Sequence, residues 1–189
     1  MKAYSLALLL VISTFNFAAA TTDLSYNTNV DDLFNELKKL NAQTLLDAVN
    51  VLDKQFFKRE NYVLIFDSMS PQGSRAEAPR VVLFGKDKKL RIGFSPHNQD
   101  GKNFEIIQWR KITKTWEFRE ISFSKNGPKM SPADPSVCLQ CHRDHKPKIV
   151  DSYLNELTSS LKGKVDTTKF VKIKAQDPIY KKLDGWGNI

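Results

Sequence analysis

The sequence predicts an α+β fold: N-terminal helices, a central antiparallel five-stranded meander, and a C-terminal Cys-X-X-Cys-His segment followed by a helix. Three patterns carry that expectation. Apolar residues recur at helical spacing between Asn29 and Phe57. From Asn61 to Ser124 they give way to β-branched and aromatic residues, cut by short polar breaks. A proline-punctuated stretch then leads to Cys138-Leu139-Gln140-Cys141-His142 and a new apolar stripe.

The chain opens with Met1-Lys2, a mostly apolar run from Leu6 to Phe17, and Ala18-Ala19-Ala20. A cationic start, an apolar centre and a small-residue cut site form the pattern of a secretory signal, so residues 1–20 are expected to be removed. The run is too short, and too interrupted by Ser13, Thr14 and Asn16, for a spanning helix. No later segment approaches the length needed to cross a bilayer, and no cysteine near the cut offers a lipid anchor. The mature protein is therefore expected in the periplasm or secreted, as one globular domain: a helical segment over residues 21–60 and the sheet with the cysteine segment over 61–189.

In the helical segment Asn29 is an N-cap candidate, with Asp31 and Asp32 in the first turn and Lys38 and Lys39 in the last, each on the favourable side of the helix dipole. Leu33, Phe34, Leu37 and Leu40 make its apolar face. A second helix is expected from about Gln43 to Phe57, with Leu45, Leu46, Val49, Leu52 and Phe56 on one stripe. Stripes of this kind are packing surfaces.

Strands are expected near Tyr62 to Ser68, Arg80 to Phe84, Leu90 to Ser95, Phe104 to Lys111 and Trp116 to Ser124. The stretches Gly85 to Lys89 and Ile112 to Thr115 read as turns, which implies sequential antiparallel pairing. In the last strand Trp116 and Phe118 are out of phase with Ile121 and Phe123, so a bulge near Arg119 or Glu120 is expected to keep both pairs inside. Ser124 to Ser136 reads as a rigid, proline- and glycine-punctuated loop. Pro147 can begin a helix, with Ile149, Val150, Tyr153, Leu154, Leu157 and Leu161 on one stripe before Gly163. Lys164 to Ile189 has no firm placement.

Basic residues outnumber acidic ones, 29 to 21, and the lysines are spread along the chain. This is a soluble basic surface first; beyond that it suits an acidic redox partner protein or an anionic membrane face, through a field that fades with salt. Nucleic acid is not expected, since no motif for it is present.

Cys138 and Cys141 are the only cysteines, and the histidine directly after the second completes the attachment spacing of a c-type haem. Each sulfur can form a thioether to one vinyl carbon, and His142 is placed as axial iron ligand. Rival readings are weaker. A disulfide across so short a loop removes little unfolded-chain entropy; a thioredoxin-like dithiol expects a strand immediately before its helix; zinc needs four ligands, and no second cysteine pair exists. The cofactor expected is one covalent haem c, which also requires haem-attachment machinery. The sixth iron ligand is open among Met130, His97, Met69 and a water-bound or vacant position, because His145 is too close along the chain to reach the opposite face. Arg80, Arg143, Lys146 and Lys148 are candidates to neutralise haem propionates.

The CxxCH motif resembles that of c-type cytochromes. Small soluble cytochromes c carry it near the N-terminus with a downstream methionine ligand, and four-helix cytochromes lack the strand-rich middle. The chain is more similar to secreted single-haem proteins and PAS-like c-haem sensor domains, through Pro79 to Phe84, Phe118 to Ile121 and the motif itself, over Asn61 to Tyr153. Arg143 stands where a glycine often follows the histidine. The resemblance implies an antiparallel sheet before one CxxCH and a proline-containing helix after it. The function expected is one-electron transfer by a periplasmic monohaem c-type cytochrome; the alternative is a haem-based redox or gas sensor without its own output domain. An enzyme, whether peroxidase or thiol oxidoreductase, is not expected.

Overall fold

The computed structural model describes residues 28–66, 74, 77–96, 103–147 and 175–183. The order is α1 (Val30–Lys39), α2 (Leu45–Asn50), two 3₁₀ turns, β1 (Tyr62–Ile65), β2 (Arg80–Phe84), β3 (Leu90–Phe94), β4 (Asn103–Arg110), β5 (Thr115–Ser122), β6 (Lys129–Met130) and α3 (Ser136–Cys141). Each strand pairs antiparallel with the next in sequence, giving one six-stranded meander in the order β1-β2-β3-β4-β5-β6. The α+β class and the meander agree with the sequence expectation. The strand number does not.

Both early helices are capped as their sequences dictate. Asn29 Oδ1 accepts from the amides of Asp31 and Asp32 at 2.9 Å, and Thr44 with Asp47 forms a reciprocal capping box. α1 buries Val30, Leu33 and Leu37 on one face of the sheet, and its first amide donates to Gln108 Oε1 at 2.7 Å. The second helix ends at Asn50, well before the expected Phe57. There Asp53 accepts from the Gln55 amide at 2.8 Å and restarts the chain as a 3₁₀ turn over Lys54–Phe57, so a local side-chain bond outcompetes helix continuation. Phe56 and Phe57 are buried all the same.

The main core joins this helical layer to Leu64, Val81, Leu83, Ile92, Phe94, Phe104, Ile106, Ile121 and Phe123 on one side of the sheet. The tail that the sequence left unplaced completes it: Ile179, Tyr180 and Leu183 are buried there, and the Tyr180 hydroxyl donates to the Pro79 carbonyl at 2.7 Å.

The other side of the sheet is also packed. Val63, Ile65, Val82 and Phe84 cluster on it, Arg91 is buried against the rings of Trp116 and Phe84, and buried Arg80 pairs with Glu105. That ion pair passes over Gly93, where a Cβ would collide with the Arg80 guanidinium.

Two further expectations are corrected. β4 and β5 pair without interruption from Asn103↔Ser122 to Arg110↔Thr115, so there is no bulge at Arg119 or Glu120. Phe118 and Ile121 instead point to opposite faces, and both are buried. The stretch read as a loop before the motif contains β6, whose Met130 and Lys129 pair with Ile121 and Ser122. The helix expected after Pro147 and the expected signal at 1–20 lie outside the described residues.

Candidate functional site

The chain reaches the cysteine segment along the edge of β5. Beyond β6 the Ser131 amide donates to the Glu120 carbonyl, and the Asp134 amide to the Phe118 carbonyl, both at 2.8 Å. Side chains return the favour: Ser131 Oγ accepts from the Glu120 amide and Asp134 Oδ1 from the Phe118 amide, both at 2.9 Å. Asp134 takes φ +52°, a left-handed conformation that Asp tolerates because its short side chain bonds locally. The strap thus fixes where Pro135 starts α3.

α3 is six residues long, with none of them buried. One helical turn separates Cys138 from Cys141, which puts both on one side. His142 ends the helix at φ −112°, ψ 45°, its amide donating to the Cys138 carbonyl at 2.9 Å. Its imidazole stacks on Phe118 with ring centroids 4.4 Å apart and planes 22° apart. Nδ1 lies 2.9 Å from the Lys146 carbonyl oxygen. A carbonyl only accepts, so in the neutral ring this bond places the proton on Nδ1 and the lone pair on Nε2. Phe118 and Lys146 therefore orient the imidazole, in the way that hydrogen-bond partners fix a histidine's tautomer and ring orientation.

Both cysteines are free thiols, Cys138 half-buried and Cys141 exposed. Burial pushes the Cys138 thiol up to about 11, helped by the charges of Glu105, Glu120 and Asp134. Such a thiol is the opposite of the low-pKa cysteine that dithiol oxidoreductases use. Glu105 and Glu120 sit directly opposite each other on β4 and β5. Burial and then the Glu105 charge push the Glu120 carboxyl above the usual range, while Arg80 and Asn103 satisfy the two side chains.

An open depression of about 430 Å³ lies beside the motif, lined by Cys141, His142, Arg143, Lys146 and their neighbours. The chemistry on offer is two reduced thiols and one oriented imidazole nitrogen beside a basic rim. Among the described residues no group of three or more His, Cys, Asp or Glu side chains is arranged to hold a metal ion by itself.

Of the residues singled out in the sequence, Cys138, Cys141 and His142 come together here. Met130 does not: it pairs with Ile121 and packs against the main core, on the face of β5 opposite to Phe118. His97 and Met69 lie outside the described residues, as does Lys148. Arg80 is committed to Glu105; of the cations considered, Arg143 and Lys146 are the ones that the described residues place beside the motif. His145 turns toward the strap, Nδ1 3.7 Å from Asp134 Oδ2. Sequence reasoning missed Phe118 and Asp134 as parts of the site. The signal was the phase of Phe118, out of step with the core residues of its own strand.

Among the described residues no helix is long and apolar enough to cross a membrane. Comparisons of the chain with protein-family models, with curated proteins and with solved structures give no match.

Proposed function

We propose that this chain is a monohaem c-type cytochrome of the periplasm or secreted space. Cys138 and Cys141 hold haem c through thioethers, His142 Nε2 is the axial ligand, and a basic surface serves docking to an acidic redox partner. The observation that carries the reading is the bond between His142 Nδ1 and the Lys146 carbonyl. It sets the tautomer a metal-ligating histidine needs, on a ring already held by Phe118, directly after two reduced thiols at thioether spacing. Bound haem would supply one-electron redox chemistry. The chain's own work is to fix the imidazole, to shield it on one side with Phe118, and to offer Arg143 and Lys146 to carboxylates at the depression.

A haem stain on a denaturing gel of protein exported from cells with haem-maturation machinery tests attachment. The stain should follow the polypeptide and be lost in Cys141→Ala. An unstained wild-type band contradicts the proposal.

A second reading is a redox or gas sensor, and one observation favours it. Met130, one of the methionines considered as sixth ligand, is packed in the core on the opposite sheet face. Visible spectra of the reduced protein with and without carbon monoxide separate the readings: rapid binding supports the sensor, and unchanged spectra support the carrier.

A further inference from the structure

One end of the sheet gathers the β2–β3 turn and the β4–β5 hairpin, joined where the Trp109 amide donates to the Lys89 carbonyl at 2.8 Å. Lys86, Lys88 and Lys89 lie on the first connection, Lys111 and Lys114 on the second. The nearby acids are already engaged: Asp87 pairs with Lys89 at 3.0 Å, and Asp31 and Glu117 pair with Arg110 at 3.5 and 2.7 Å. Lys86, Lys111 and Lys114 are exposed, and none of them pairs with an acid among the described residues. At the tip of the hairpin Ile112 is 98 % exposed. Behind it Trp109 and Trp116 pack edge to face with ring centroids 5.5 Å apart.

A single exposed isoleucine is ordinary surface, and lysines alone make a solvated end. Their combination is more specific. An aliphatic side chain at the hairpin tip stands among exposed lysines of the two connections, which suits the acyl boundary and the anionic headgroups of a lipid leaflet. An acidic protein surface would engage the lysines and gain nothing from Ile112. We propose that this end of the sheet docks on an anionic lipid membrane, with Ile112 entering the acyl boundary and Lys86, Lys111 and Lys114 meeting lipid phosphates. The inference is independent of the haem reading. It would set Phe118, and the His142 ring stacked on it, about 10 Å along β5 from the strand's hairpin end.

The test is co-sedimentation of the protein, as recovered from cells and with its N-terminus defined by mass, with vesicles of phosphatidylcholine alone or mixed with phosphatidylglycerol. Binding should require the anionic lipid. It should fall about tenfold in Ile112→Ser and about fivefold for each of Lys111→Gln and Lys114→Gln. Ile112 is exposed, so its replacement leaves the fold intact, checked by an unchanged unfolding midpoint. Equal binding by wild type and Ile112→Ser overturns the proposal. So does absence of binding to the anionic vesicles, and retention on polyglutamate would then assign the lysines to an acidic protein.

Discussion

Phe118 and His142 lie face to face, ring centroids 4.4 Å apart, although their strand and helix are separated by the whole of β6 and its strap. The contact couples the sheet to the motif: β5 supplies the wall, the strap delivers α3, and the histidine is clamped between that wall and the Lys146 carbonyl.

Removing the wall should therefore cost both stability and order at the histidine. Phe118 is 2 % exposed, so Phe118→Ala should lower unfolding free energy by about 3–5 kcal/mol. Phe118→Leu keeps most of the volume and should cost about 1 kcal/mol, the share belonging to the stack. Urea titration of the three proteins checks the ranking.

Asp134 pins the strap through its side chain. Asp134→Asn retains an acceptor for the Phe118 amide and tolerates the left-handed backbone, so it should stay within about 0.5 kcal/mol of wild type. Asp134→Ala leaves that amide unpaired and should cost about 1–2 kcal/mol. The same titrations measure both.

The Arg80–Glu105 pair is predicted to act as a unit with Gly93. Glu105→Gln weakens the partner of a buried guanidinium, and Gly93→Ala forces that guanidinium aside; each should cost about 2 kcal/mol. The double variant should lose less than the sum, since both remove one interaction. Additive losses would show that the two positions act separately.

Alkaline pH should unfold the protein through Tyr180. Burial, then the Asp177 charge, raises its phenol well above the ordinary value of 10.0. Above that pH the unfolded chain gives up the proton and the folded chain keeps it, so stability falls as pH rises, by about 1.4 kcal/mol per unit for this group. Tyr180→Phe should remove this group's share of the slope while costing about 1 kcal/mol at neutral pH, through loss of the bond to the Pro79 carbonyl. Unfolding free energies from neutral pH upward measure it.

Much of the sheet was legible because alternation and turn chemistry are local: Leu90, Ile92 and Phe94 face the main core as their spacing requires. The expected bulge failed because it assumed one buried face, whereas His142 covers Phe118 on the other. β6 is two residues long beside Gly127 and Pro128, below what any periodicity can mark. The burial of Tyr180 depends on a contact with Pro79 across most of the chain, which no local pattern encodes. At the site, the thiols and the histidine were readable from spacing alone; the stack, the strap and the carbonyl that orients the ring are tertiary.

The most direct measurement is the intact mass of the purified exported protein, with a thiol titration after denaturation. The expected result is a coloured polypeptide heavier than its chain by one haem, with no thiol left to titrate. A colourless polypeptide at the mass of the bare chain, with both Cys138 and Cys141 reacting or joined to each other, contradicts covalent haem attachment.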